Sequence, residues 1–350
     1  MKFLKPLSIL SLVLLSFISC TSTRRVQLDL MRPADIHLDS RIERILLVDR
    51  SEPRQKTMGI IEGILTGESP HEDKAAVQQI ISSMRNEIQS SPRFTVNSAA
   101  RRIKGNSLSS AFPPQLTWAT IRSLCREYNA QVVVSIEIFD SDFIITEGKR
   151  RVKKTVGSGD NKREIEVDEY YAEGVGNVKI GIRLYDNINQ TIVDEQLLNN
   201  TNTWQAAADS KAGALAALIS KSDATLELGR RVGRDYAFKI APLPIQVART
   251  YYRKSKKAPV LEKGTRLAEV GQWQEAIKTW KTGISIADNK RAGQLSYNVA
   301  VGYEVLGELD LAIEWAQKSY TQFGNKLARN YVSILEERKI SEARLREQMR

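Results

Sequence analysis

Two cysteines and two histidines are all that this chain of 350 residues holds of the side chains that most often bind metals or attack carbonyls. Neither His37 nor His71 has a second Cys or His at ligand spacing, which excludes a zinc-type centre as a reading. With Cys20 set aside, Cys125 has no partner for an intramolecular disulfide. Its place between Leu124 and Tyr128 in a helical pattern marks it as a small buried hydrophobe rather than a nucleophile. No glycine loop runs into a lysine to cradle phosphate, and Asp49, Asp140 and Asp142 near strand ends read as turn and cap residues. These absences lead us to expect no enzyme, no metal and no cofactor.

Long hydrophobic runs are also scarce. Beyond the first nineteen residues none suggests a membrane span, and the stretch Leu7 to Ile18 is itself about a dozen residues, short of the roughly 20 that a spanning helix needs. Preceded by Lys2 and Lys5 and ended by Ser19-Cys20, it reads as a cleaved export signal. Phe17-Ile18-Ser19-Cys20 resembles the bacterial lipobox, which implies lipidation of Cys20, cleavage just before it, and attachment to the lipid bilayer through its acyl chains. The following Thr21-Ser22-Thr23-Arg24-Arg25 lacks the acidic cluster of surface-exported lipoproteins and has no Asp directly after the cysteine. The expected location is therefore the bacterial cell envelope, lipid-anchored, on the outer membrane facing the periplasm.

The chain carries 52 basic and 41 acidic residues, a net charge of +11. Removing the signal takes two lysines and no acid, leaving +9. A basic balance favours anionic partners, and in the periplasm these are lipid headgroups, lipopolysaccharide and peptidoglycan, with nucleic acid excluded by compartment.

Along the chain, residues 20–40 read as a lipidated tether. Ile42 to Asp49 has the apolar run of a buried strand, Asp73 opens a helix with Ala76, Val77, Ile80, Ile81, Met84 and Ile88 at helical spacing, and Phe94 to Val96 returns as a strand. Thr117 caps a second helix bearing Trp118, Ile121, Leu124 and Cys125, which turns at Asn129-Ala130 into the run Val132 to Ile138. Long antiparallel strands follow, Glu164 to Tyr185 and Thr191 to Leu198, and then a helix from Lys221 to Ile240 and an extended segment to Tyr252. The fold class expected is α+β: a mixed α/β sheet domain with a long antiparallel hairpin over 41–252, a basic linker at 253–258, and an all-α region over 259–350.

Gly271-Gln272-Trp273-Gln274-Glu275-Ala276-Ile277 and Gly307-Glu308-Leu309-Asp310-Leu311-Ala312-Ile313 match at an offset of 36 residues. With Leu267 and Tyr303 before the turns, Ala276 and Ala312 at the helix contacts, and Trp280, they resemble tetratricopeptide repeats, stacked helix pairs that present a concave groove. On that reading Tyr297, Asn298, Val301 and Glu304 line the groove and could contact a protein partner. The alternative is a docking region packed on the chain's own amino-terminal half. A last helix from Lys326, with Leu327, Tyr331, Ile334 and Leu335 inward, would cap the stack.

The hairpin around Gly157-Ser158-Gly159-Asp160 joins a basic arm, Lys149, Arg150, Arg151, Lys153 and Lys154, to an acidic arm, Glu164 to Glu169. Two readings stay open: cross-strand charge pairing on an exposed ribbon, or a site for an anionic ligand.

The strand and helix order of the amino-terminal half resembles the TolB amino-terminal domain and curli-secretion lipoproteins. With Pro242, Arg249-Thr250-Tyr251-Tyr252 and the repeats, the chain resembles a Bacteroidota lipoprotein family of unknown function. The resemblance implies no known activity. The expected function is that of a protein-interaction scaffold in envelope assembly or cell-wall enzyme regulation; the alternative is a binder of peptidoglycan or lipopolysaccharide through the basic hairpin.

Overall fold

The computed structural model describes residues 22–51, 70–105 and 112–350. The signal segment, Cys20 and the loop Gly59 to Gly67 lie outside them. The chain divides into two compact units, residues 31–245 with 341–350, and residues 1–30 with 246–340.

The first unit is built on a five-stranded mixed sheet of order β3-β2-β4-β5-β6. Its strands are β2 (Arg44–Asp49), β3 (Thr95–Ser98), β4 (Val132–Val156), β5 (Arg163–Asp186) and β6 (Thr191–Ala208). β2 pairs in parallel with β3 and β4, and β4-β5-β6 continue antiparallel. Because successive side chains of a strand point to opposite faces, the unbroken apolar run of β2 means cover on both sides. Ile45 and Leu47 meet Val77, Ile80 and Met84 of helix α1 (Pro70–Ile88), and Leu228, Val232 and Tyr236 of helix α4 (Lys221–Ile240). Leu46 and Val48 meet Ile121, Leu124 and Cys125 of helix α2 (Trp118–Glu127). Thr117 caps α2, its hydroxyl accepting from Thr120 N at 3.2 Å, and burial pushes the Cys125 thiol up to about 11.

The sequence reading ends the last long strand at Leu198, whereas β6 continues to Ala208 and is followed by the short helix α3 (Lys211–Ala217). The extension holds because β5 offers partners as far as Tyr170, opposite Ala208. Strand length here is set by pairing rather than by local apolar content.

The second unit contains α5 (Pro259–Glu269), α6 (Trp273–Ile284), α7 (Asn289–Val305), α8 (Leu309–Thr321) and most of α9 (Lys326–Gln348). Gly271 and Gly307 sit at the two equivalent turns with φ of 79° and 80°, a left-handed conformation that favours glycine. Ala276, Ala312 and Trp280 are fully buried. In α9 the inward face is Ala328, Tyr331 and Leu335, all buried, while Leu327 and Ile334 are exposed. Counting all four of Leu327, Tyr331, Ile334 and Leu335 as inward therefore overstated the apolar stripe, since positions 327 and 334 lie on the flank of the 3.6-residue repeat that carries Ala328 and Leu335.

The tether expected over residues 20–40 also needs correction. Thr23–Arg32 forms strand β1, paired with β7 (Leu243–Tyr252) in a two-stranded sheet. The alternation Val26, Leu28, Leu30 against Arg25, Gln27, Asp29 is a strand signal, and Leu28 is buried.

Candidate functional site

The four residues assigned to the repeat groove come together on α7, but none faces an open groove. Asn298, Val301 and Glu304 are fully buried and Tyr297 is 8% exposed. What meets Tyr297, Asn298 and Glu304 is the Gln246–Tyr252 part of the chain's own β7. Asn298 Oδ1 accepts from Tyr252 N at 2.8 Å and its Nδ2 donates to Tyr252 O at 2.7 Å. Arg249 donates to both oxygens of Glu304, with Nε 2.8 Å from Oε2 and Nη2 3.0 Å from Oε1. Glu304 also accepts from the Tyr331 hydroxyl at 2.5 Å and pairs with Arg338 at 3.1 Å. The rings of Tyr252 and Tyr297 meet edge to face at 5.6 Å. Burial first, then the charge of Glu304, pushes the Tyr331 hydroxyl well above its ordinary range. The expectation that Tyr297, Asn298, Val301 and Glu304 are open to a partner is thus corrected: the surface that could hold a foreign extended peptide already holds one from this chain.

The hairpin places three of its five bases opposite acids. The register sets Arg150 against Glu169, Arg151 against Asp168 and Lys153 against Glu166. Lys149 reaches Asp168 at 2.7 Å, Arg150 reaches Glu169 at 2.8 Å, and Arg151 lies 3.8 Å from Asp168. Lys154 lies 3.2 Å from Asp209 and 3.7 Å from Glu169. The Lys149 hydrogen bond holds the Asp168 carboxyl below its ordinary value. Only Lys153 of the five lacks an acid within ion-pair distance among the described residues. Of the two open readings, the geometry is that of cross-strand pairing, with little free positive charge left for a ligand.

A third cluster escaped the sequence reading. At the carboxyl ends of the parallel strands, where open α/β sheets commonly hold ligands, Glu137 is buried between Arg50 at 2.7 Å and Arg183 at 2.8 Å and accepts from Tyr185 Oη at 2.9 Å. A register shift between Ile136 and Ile138 frees Glu137 from the regular ladder. The other hydrogen bonds of the guanidiniums go to the chain itself, Arg183 to Pro113 O at 2.7 Å and to Glu195 at 2.6 Å, Arg50 to Pro114 O at 2.8 Å, while Arg50 Nε is buried without a partner among the described residues. Charge is balanced and the donors are turned inward, so the cluster fastens residues 112–116 and presents no reactive group. The signal for it was a lone acid in the apolar run Val132 to Ile138. Beside it Asp49 is buried and paired with Arg102 at 2.6 Å, whereas Asp140 and Asp142 are exposed on β4. Among the described residues no group of three or more His, Cys, Asp or Glu is placed to hold a metal ion.

The remaining feature is an edge. β6 is 18 residues long, borders the sheet, and has no charged side chain from Gln196 to Ala208. Among the described residues no backbone group of 196–208 bonds outside the ladder with β5. Natural edges are shielded by brevity, charge, proline or a bulge. The opposite edge, β3, has four residues; β6 has none of the four protections over that stretch. No local periodicity identifies an edge strand, because edge position is a property of the sheet.

Two family models match the chain. One, described as "Domain of unknown function (DUF8603)", matches residues 42–252, and the other, "Domain of unknown function (DUF6340)", matches residues 262–337. Comparison with curated proteins gives no match. Among solved structures, a PelC dodecamer from Paraburkholderia phytofirmans matches at 14% identity, covering 62% of this chain and 99% of that one, with a TM-score of 0.22. TolB from Acinetobacter baumannii matches at 12% identity, covering 51% of this chain and 26% of that one, with a TM-score of 0.20. A hypothetical protein from Chlamydia trachomatis matches at 10% identity, covering 56% and 96%, with a TM-score of 0.25. At these scores the likenesses carry no argument about fold or function.

Proposed function

We propose, for a chain that belongs to the DUF8603 family by a match over residues 42–252, a non-enzymatic role as a protein-interaction module of the bacterial envelope. It is held to the outer membrane by acyl chains on Cys20, faces the periplasm, and takes its protein partner by strand addition along β6. The observation that carries this reading is the unpaired, uncharged edge from Gln196 to Ala208. Such an edge offers main-chain donors and acceptors to any extended segment, and alternate side chains then supply selectivity. The lipid anchor rests on the terminal sequence, and no helix among the described residues is long and apolar enough to cross a membrane. The polymer-binding alternative has less support at the hairpin, where four of the five bases are already paired.

The test is a photo-crosslinking amino acid placed at Thr201 on the exposed side of β6, with Thr321 on α8 as the control site. The expected result is one recurrent protein adduct in cells from position 201, lost when Asn199→Lys and Thr203→Lys put charge on the edge. An adduct at twice the chain's mass would make the partner a second copy. No adduct, or the same adducts from Thr321, overturns the edge as the contact surface. The mass of the amino-terminal peptide checks the anchor: a mature Cys20 without acyl chains overturns it.

A further inference from the structure

The repeat unit carries a surface cleft lined by residues other than those of the covered face of α7. It lies between α6, the α6-α7 turn and α8, and is an open cleft of about 490 Å³, in the volume range of small-ligand sites. Two lysines flank it. Lys281 Nζ sits 4.9 Å from the centre of the Trp315 ring and Lys318 Nζ sits 4.6 Å from it. Lys281 also donates to the Tyr303 hydroxyl at 2.6 Å and lies 4.8 Å from that ring. Both lysines are half-buried, and among the described residues neither has a carboxylate within ion-pair distance.

Lysines such as Lys149, Lys154 and Lys278 are matched by acids and others such as Lys153 are not; what sets Lys281 and Lys318 apart is that both lie against one indole. A strongly hydrated ammonium is normally left in water on its flexible stem. Here two are held against one indole by cation–π attraction, which orders the side chains without neutralising their charge. The cleft thus has fixed positive charge and no internal counter-charge. The rest of its lining is Ile284, Ser285, Ala287 and Phe323 together with the neutral amides of Asn289 and Gln322. Aromatic surface suits the apolar face of a sugar ring, amides suit hydroxyls that both donate and accept, and the ammonium groups call for carboxylates.

We propose that this cleft binds an acidic saccharide, with Lys281 and Lys318 each taking a carboxylate and the aromatic side chains lying against the sugar. Lys281 would trade its bond to the neutral Tyr303 hydroxyl, or share it, for one to an ionised acceptor, and the ligand supplies the counter-charge that the fold omits.

The experiment is calorimetric titration of the purified full chain with a galacturonic acid trimer at low salt, beside its methyl ester, hexaglutamate and inorganic phosphate. The expected result is binding of the acidic trimer only, weakened about tenfold by each of Lys281→Gln and Lys318→Gln, as loss of a charge-assisted hydrogen bond predicts. Lys281→Arg should retain binding, and thermal unfolding of all three variants should match the parent, which separates lost recognition from lost folding. Binding should also fall steeply with added salt. Equal binding of the methyl ester, equal or tighter binding of hexaglutamate or phosphate, unchanged affinity in both glutamine variants, or no heat from the acidic trimer would each overturn the proposal.

Discussion

Asn298 satisfies both main-chain groups of Tyr252 with one side chain, accepting from its N–H at 2.8 Å and donating to its carbonyl at 2.7 Å. The side chain is fully buried and the two residues are 46 apart in sequence. A carboxamide carries a donor and an acceptor side by side in one plane, so the pair fastens β7, whose sheet partner is β1, to a helix as well.

Replacing it with Asn298→Ala leaves the buried Tyr252 N–H without a partner and its carbonyl with only the 3.2 Å bond from the Thr265 hydroxyl. A buried group without a partner costs about 1–3 kcal/mol, and we expect urea unfolding to report a loss in that range at the least. An unchanged midpoint would mean that β7 does not stay on α7 in solution.

The buried acid of the sheet unit gives a sharper contrast. Glu137 is the shared counter-ion of Arg50 and Arg183, whose side chains are 8% and 5% exposed. Glu137→Gln leaves the Arg50 guanidinium in the interior without an acid and Arg183 with Glu195 alone, and should destabilise by about 3–5 kcal/mol. Glu195 pairs with the same Arg183 at 2.6 Å, but its side chain is 40% exposed. Glu195→Gln should cost about 0–1 kcal/mol, because solvent screens it. Denaturant midpoints of the two variants decide the matter, and similar losses would contradict the assignment of Glu137 as the keystone.

Stability should fall in alkali. Burial pushes the hydroxyls of Tyr185 and Tyr297 up to about 12 and the Cys125 thiol up to about 11, against unfolded values of about 10 and 8.5. Between the unfolded and folded values the native chain binds more protons than the unfolded one. The stabilisation is therefore complete below the unfolded values and is lost as pH rises through the folded ones. Urea midpoints should hold steady to about pH 8.5 and decline toward pH 12. Tyr297→Phe should make the upper part of that decline shallower, and an identical slope would show that Tyr297 titrates as an exposed tyrosine.

Much of the fold was legible because its elements are locally marked. Ile45 to Val48 reads as a doubly covered strand from its unbroken apolar run, Thr117 announces the start of α2, and Gly271 and Gly307 announce the repeat turns at a constant offset. The site residues were legible only in part. Placing Tyr297, Asn298, Val301 and Glu304 on one side of α7 followed from periodicity, and that they meet is correct. Their role was misread because helical spacing identifies a face without saying what covers it. Arg249 and Tyr252, the residues that cover it, lie 55 and 46 positions from Glu304 and Asn298 respectively.

The hairpin shows the same division. Its two oppositely charged arms are plain in the order Lys149 to Glu169, but whether each base meets an acid depends on a register that the turn and the rest of β4 and β5 impose. The sequence by itself determined most of the strand and helix segments, the repeat and the opposed charges, since each is a pattern over neighbouring residues. Tertiary structure alone decided that β7 fills the groove, that Glu137 is buried between two arginines, that β6 is an edge and that Lys281 and Lys318 share one indole. Those relations join side chains and strands through packing across the fold, and packing has no local code.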